Sequence, residues 1–397
     1  MRKSLLERLI ETHPELEIWW DSSPLIYTAW AEGMVKKSPP GRAEDLREIL
    51  RRFYDPSHPE EALFRGVTTN PPLSLHVIKT HENEWTQVVD GLIEQNPCVD
   101  KEALFWLTYK EIVRRGAEMY LGVFKRSQYR YGFLSGQVDP RVRTDKEKMI
   151  SQALELSSLS PNIMIKVPGT KESYEVIRVL TSKGISTNNT LTFILPQLMA
   201  CAKAVKEGLE IAKKNGVDLS RWRSVITHMA ARYGDLGDLR KEAEKLGIDL
   251  SEVDVRWAEI AIFKKAYHLL KERGYPSKML ICSMRISPIL NGKKYCWHLE
   301  KLAGGNIVFT CPPSFIEGTF ESLGGIEFRP QIDEEVPKVV LDKLLRIPYF
   351  ENAYREDGLT PDGFNTHPAL VATAIEFSKA TEGMVDFAAK RLAAKCG

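Results

Sequence analysis

Lys166 is the residue with the clearest chemical consequence. It sits in Asn162-Ile-Met-Ile-Lys-Val-Pro168, a run that reads as a strand. Side chains alternate along a strand, so Ile163, Ile165 and Val167 share one face, and Met164 and Lys166 share the other. If the strand belongs to a barrel with helices outside, the second face is the lumen. A lysine there is costly unless it is paired or neutral. Desolvation favours the neutral amine, which can attack a carbonyl carbon. A lysine paired with Asp21 for structure alone is the competing reading, and these residues by themselves leave both open.

Other short β-rich runs also end in polar side chains. The first ends in Asp21. The second ends in Thr68-Thr69-Asn70, followed by Pro71-Pro72, and the third in Ser135-Gly136-Gln137-Val138-Asp139. The run after Lys166 ends in Asn188-Asn189-Thr190. The next gives Thr227 and His228 with Arg232 just beyond, and the one after gives Ser283 and Arg285. Guanidinium forks match phosphate geometry, although an arginine past a strand is often only a surface ion pair. His228 could act as a base, but a strand-end histidine in a packed site is more often a hydrogen-bonding partner.

Eight short strands must position these groups: Glu17–Asp21, Leu63–Thr68, Phe133–Val138, Asn162–Val167, Ile185–Asn188, Ser224–His228, Met279–Ser283 and Asn306–Thr310. Helical patterns fall between them, over Arg42–Phe53, Lys101–Gly116, Asp145–Leu159, Glu172–Ser182, Leu195–Asn215, Val253–Arg273 and His298–Leu302. Alternating strand and helix implies parallel strands with right-handed crossovers. The expected fold is α/β, a (β/α)₈ TIM barrel over about residues 16–320 of a single domain. Three additions are expected: a leading helix within residues 1–15, a lengthened first loop over Glu32–Glu61, and a helical tail from about Pro337. That loop carries turns at Pro39–Gly41 and Asp55–Pro59. The tail ends in Pro368–Ala394, with Val371, Ile375, Met384, Phe387 and Leu392 at roughly helical spacing. A helix that long is expected to pack across the barrel or against a second copy, so a homodimer is an expectation too. Trp19 and Trp20 fall on opposite faces of the first strand, one toward the lumen and one toward the helices.

Five of these segments together resemble the transaldolase family. They are Gly66-Val-Thr-Thr-Asn-Pro-Pro-Leu, Ile163-Met-Ile-Lys-Val-Pro-Gly-Thr, Gly184-Ile-Ser-Thr-Asn-Asn-Thr-Leu-Thr-Phe, Ile226-Thr-His-Met-Ala-Ala-Arg and Cys282-Ser-Met-Arg. The likeness spans about Glu17 to Pro313, in the family's order. It implies that Lys166 is the Schiff-base nucleophile and Asp21 the acid–base group. Thr190 helps hold a catalytic water. Asn70, Asn188 and Thr227 hold the hydroxyls of a dihydroxyacetone unit, and Arg232, Ser283 and Arg285 grip the substrate phosphate. The implied reaction is transfer of that unit from a ketose phosphate, by default fructose 6-phosphate, to an aldose acceptor, by default erythrose 4-phosphate. Two positions depart from the family pattern. Gln137 stands where most transaldolases carry a glutamate, and the small fructose-6-phosphate aldolases carry a glutamine there too. Met229 replaces an aromatic residue. Glutamine can orient water but cannot take its proton. An aldolase releasing dihydroxyacetone, a specialised transferase and a silent sugar-phosphate binder are the alternatives.

Composition narrows the classes. The 397 residues carry a formal charge of +2, which argues against a nucleic-acid surface as the main business. The six cysteines are scattered and form no Cys-x-x-Cys pair, so neither a zinc site nor a disulfide framework is suggested. Cys282 and Cys311 lie in apolar runs and read as buried thiols. Cys296-Trp297-His298 holds two metal-type residues without a second pair, and no glycine-rich nucleotide motif occurs. No metal or cofactor is therefore expected. No apolar run of about 18 residues occurs and the N-terminus does not read as a signal peptide, so no membrane partner and a cytoplasmic location are expected.

Overall fold

A computed structural model describes residues 3–323 and 325–396. Met1, Arg2 and Gly397, at the ends of the expected leading helix and tail, lie outside the described residues.

Eight parallel strands close into a barrel, each beside its neighbour in sequence. They are β1 (Glu17–Trp20), β2 (Phe64–Thr68), β3 (Phe133–Gln137), β4 (Ile163–Pro168), β5 (Thr187–Thr190), β6 (Ser224–Met229), β7 (Lys278–Cys282) and β10 (Val308–Cys311). All eight expected strands are present, each within about two residues of its expected bounds. Between β7 and β10 lies a hairpin, β8 (Ile289–Leu290) and β9 (Lys293–Lys294), absent from the expectation. Its turn is Asn291-Gly292, both at positive φ, the geometry that lets two strands reverse tightly. The signal was legible, but the flanking strands are only two residues long.

The chain divides into two compact units. One holds the residues up to Trp19, Thr144–Lys146 and Lys166–Thr373. The other holds Trp20–Arg143, Glu147–Ile165 and the residues from Ala374.

In the first unit, Glu17 and Trp19 share a face of β1. Trp19 Nε1 donates to Glu17 Oε2 at 2.9 Å, and both side chains are buried. The helix Leu5–Ile10 precedes this strand, closed by a reciprocal cap between Ser4 and Glu7. The helix Glu252–Glu272 starts on a similar cap between Ser251 and Asp254. Three short helices between or after the strands were not foreseen from the sequence, Ala230–Leu236, Leu239–Lys245 and Pro313–Ser322, whereas the expected helical tail includes Lys338–Leu344 and Pro348–Tyr354.

In the second unit, Trp20 lies on the opposite face of β1 from Trp19, with its ring 5.1 Å from Tyr27, 4.9 Å from Trp30 and 5.5 Å from Phe64. Within the lengthened first loop the expected helix is present over Ala43–Phe53, and a second helix, Tyr27–Lys37, was not foreseen; Phe53 packs on Phe64 of β2 and Tyr27 on Trp20 of β1. The helix from Lys101 runs to Arg126, ten residues past the expected stop at Gly116. Gly116 does not end it. A Cβ there would lie 2.9 Å from Leu134 Cδ1, so the glycine lets the helix approach β3.

The tail helix Pro368–Cys396 exists as expected, and its buried face matches the expected one only in part: Met384 is buried, and Val371, Phe387 and Leu392 are half-buried. Leu370, Ala374, Phe377, Thr381, Met384 and Ala388 are covered, whereas Ile375 is 50% exposed. Many alanines leave this helix with two weakly apolar stripes, and packing chose between them.

Candidate functional site

In the first unit, β4 delivers Lys166 with 5% of its surface exposed. The strand ends at Pro168-Gly169, where a Cβ on Gly169 would lie 2.5 Å from Thr192 Cγ2, so glycine permits a tight exit. Asn189 satisfies the strand end by donating Nδ2 to the carbonyls of Val167 and Pro168, at 3.1 and 3.2 Å. Its neighbours Asn188 and Thr190 therefore belong to the other face of β5. Thr227 Oγ1 on β6 donates to Asn188 Oδ1 at 2.7 Å, joining two of the expected substrate-binding residues. Thr190 Oγ1 points toward Met229 Sδ at 4.0 Å.

Residues just past the strands adopt unusual backbones. Leu191 follows β5 at φ 52° and Ser283 follows β7 at φ 59°. Such left-handed non-glycine residues carry strain and cluster at functional sites. Beyond Ser283, the Arg285 guanidinium donates back to the Ser283 carbonyl at 3.3 Å and to Asp235 Oδ2 through Nη2 and Nε, at 2.8 and 3.2 Å. Its side chain is 47% exposed. Arg232 is half-buried and reaches Thr373 Oγ1 at 3.5 Å.

His228 takes no part in this face. Its ring is fully buried 6.2 Å from Phe263 on the helix Glu252–Glu272. Burial pushes its pKa down to about 3, against the opposing pull of the Glu259 backbone, so it is neutral and a feeble base.

In the second unit, Thr68 Oγ1 on β2 donates to Asp21 Oδ1 at 2.6 Å and orients that carboxylate. Thr69 Oγ1 donates to the Ser135 carbonyl at 2.7 Å. Asn70 is the N-cap of the helix Pro71–Thr80. Its Oδ1 accepts from the Leu73 amide at 3.0 Å, which leaves its side-chain NH₂ as the group to offer a substrate. Gln137 closes β3 with 1% exposure. Tyr109 clamps its backbone, accepting from the Gln137 N–H at 2.9 Å and donating to its carbonyl at 2.8 Å. Both amide atoms of the Gln137 side chain are buried without a hydrogen-bond partner among the described residues, a costly arrangement unless water or a ligand fills it. A cleft of about 580 Å³ opens between the helices Tyr27–Lys37 and Ala43–Phe53, and no expected site residue lines it.

Sequence reasoning noted Thr68 only as a strand-end residue and His298 only as part of the Cys296-Trp297-His298 run. It missed their roles as supports, Thr68 behind Asp21 and His298 behind Arg285, and missed Tyr109 behind Gln137 and Asp235, Arg256 and Glu259 behind Arg285 altogether.

The family model described as Transaldolase/Fructose-6-phosphate aldolase matches residues 47–357. This chain belongs to that family. The match takes in the Lys166 strand and every candidate residue except Asp21. "Transaldolase 1" of Streptomyces avermitilis is 34% identical over 209 residues, 52% of this chain and 54% of the relative. "Transaldolase 1" of Streptomyces coelicolor is 33% identical over 219 residues, 54% of this chain and 57% of the relative. The "Transaldolase" of Saccharopolyspora erythraea is 29% identical over 259 residues, 62% and 69% of the two chains. The chain thus spans little more than half the length of the two Streptomyces relatives. No helix among the described residues is long and apolar enough to cross a membrane.

Proposed function

We propose that this family member transfers a dihydroxyacetone unit from a ketose phosphate to an aldose through a Schiff base on Lys166. The Lys166 amine adds to the ketose carbonyl and water leaves, giving an iminium. Asp21, oriented by Thr68, takes the proton of the C4 hydroxyl as the C3–C4 bond breaks. The bond's electrons enter the iminium, the first aldose departs, and an enamine remains. The enamine attacks the acceptor aldehyde, Asp21 returns the proton, and hydrolysis frees Lys166. Asn188 and Thr227, already joined, hold hydroxyls of the three-carbon unit together with the Asn70 amide. Thr190 and Gln137 orient the water, and Arg232, Ser283 and Arg285 take the phosphate. Fructose 6-phosphate and erythrose 4-phosphate are the default donor and acceptor.

The observation that carries this reading is Lys166 itself, an almost fully buried lysine on β4 within the matched segment. Incubation with fructose 6-phosphate and borohydride is expected to add a three-carbon mass to the peptide carrying Lys166. Labelling of another lysine, or none, would refute it.

Gln137 supports a second reading, an aldolase that protonates the enamine and releases dihydroxyacetone. A buried amide with no protein partner can hold a water or an acceptor hydroxyl, but cannot share a proton as a carboxylate would.

A further inference from the structure

His298 belongs to the one sequence run left without a role, and it lies fully buried behind Arg285. Its Nδ1 accepts the backbone N–H of Arg285 at 3.1 Å. With Nδ1 accepting, a neutral ring carries its proton on Nε2, which lies 2.8 Å from Glu259 Oε2. The ring is neutral because burial, then Arg256, drives its pKa well down. The same Glu259 oxygen lies 3.0 Å from Arg256 Nη1. Arg256 Nη2 reaches Asp235 Oδ1 at 3.4 Å, and Asp235 Oδ2 holds the Arg285 guanidinium. The contacts form a closed ring that starts at the main chain of Arg285 and returns to its side chain.

A purely structural role explains this poorly. Burying a glutamate, an arginine and a histidine together costs as much as it returns, and burial pushes Glu259 well up despite Arg256. Even the helix carrying Asp235 is shaped around the ring. A Cβ on Gly234 would lie 2.4 Å from Glu259 Oε1. What the ring secures is one half-exposed guanidinium at the end of β7.

We propose that His298 is a positioning residue that fixes Arg285 for a phosphoryl oxygen of the substrate. The inference rests on the reading of Arg285 as a phosphate ligand. It goes beyond that reading in assigning the main-chain anchor to His298 Nδ1 and the ring orientation to Glu259.

Two substitutions separate the two bonds of the imidazole. In His298→Asn, Oδ1 can stand in for Nδ1 and keep the Arg285 bond. In His298→Gln, Nε2 can stand in for the ring Nε2 and keep the Glu259 bond, but the Arg285 bond is lost. His298→Gln is expected to raise KM for fructose 6-phosphate about ten-fold or more at nearly unchanged kcat, with little effect on unphosphorylated fructose or dihydroxyacetone. His298→Asn should stay within about three-fold of wild type on both donors. An Asn variant as impaired as Gln, or equal losses on phosphorylated and unphosphorylated donors, would overturn the proposal. If neither variant folds, ¹⁵N-histidine spectra of the wild type decide. The His298 resonances should report a fixed Nε2–H tautomer, with an Nδ1 signal that moves on adding inorganic phosphate. An Nδ1–H tautomer, or a signal indifferent to phosphate that inhibits the enzyme, would refute it. A wild type with no preference for phosphorylated donors and no inhibition by phosphate would instead remove the phosphate reading of Arg285, and this inference with it.

Discussion

Glu17, at the start of β1, and Arg285, just past β7, belong to the same unit, and both sit in nets of opposite charge. At Glu17 the net is closed. The side chain is 3% exposed, Lys278 Nζ lies 2.6 Å away, Arg223 pairs with the same oxygen, and Trp19 takes the other oxygen. Burial alone would raise its pKa, but Arg223 and Lys278 more than offset this and bring it down to about 2. At Arg285 the net is complete on the protein side, yet the guanidinium remains 47% exposed. The first arrangement spends every contact on the fold. The second holds a charge steady and leaves it accessible. That is the division expected between the N-terminal ends of barrel strands, which serve stability, and the C-terminal ends, which serve the reaction.

The comparison can be broken most decisively by exchanging stability against turnover. Lys166→Ala should abolish activity while the thermal midpoint stays within a few degrees. Glu17→Ala should leave two half-buried cations without their partner and cost about 3 kcal/mol in urea unfolding, with kcat of the folded enzyme retained. A stable, inactive Glu17 variant would reverse the assignment of the two ends.

Acid sharpens the same contrast. Glu17 titrates near 2 in the fold and at about 4.5 unfolded, so its pKa is depressed by folding. Its stabilisation is then full above about 4.5 and is lost as pH falls toward 2. A shift of that size corresponds to roughly 3 kcal/mol. Unfolding free energies measured between pH 2 and 6 should fall more gently in Glu17→Gln than in wild type. Parallel curves would show that the pairing does not differ between folded and unfolded chains.

The accessible net predicts a smaller, selective effect. Arg285→Ala should raise KM for a phosphorylated donor about ten-fold or more, and change unphosphorylated donors little. Equal losses would make Arg285 another part of the fold. The subtlest effect concerns Gln137. Transfer should dominate in wild type, with a detectable release of dihydroxyacetone from fructose 6-phosphate alone, and Gln137→Glu should suppress that release. Release as fast as transfer favours the aldolase reading. An unchanged ratio in the variant removes Gln137 from control of the partition.

Much of the candidate site's face was legible because it is written in short contiguous runs. Period-two alternation separates Lys166 and Met164 from Ile163, Ile165 and Val167, and it separates Thr227 from His228. The fold's eight parallel strands follow from the same alternation of apolar strand and helix. Asn291-Gly292 announced a turn, and its two-residue strands hid it. The tail shows the limit of pattern reading in another way. A helix over its length was predictable, but Ile375 was expected to pack and instead faces outward, because an alanine-rich helix offers more than one acceptable apolar stripe.

Sequence by itself determined the strand order, the residue types at the strand ends and the family. Tertiary structure alone decided which polar groups become partners. Asp235 and Arg285 are 50 positions apart, and Glu259 and His298 are 39 apart, on separate elements. No local spacing rule links them. Their pairing is set by how closely the helices approach β7, through positions such as Gly234, and by the cost of leaving a buried charge unmatched.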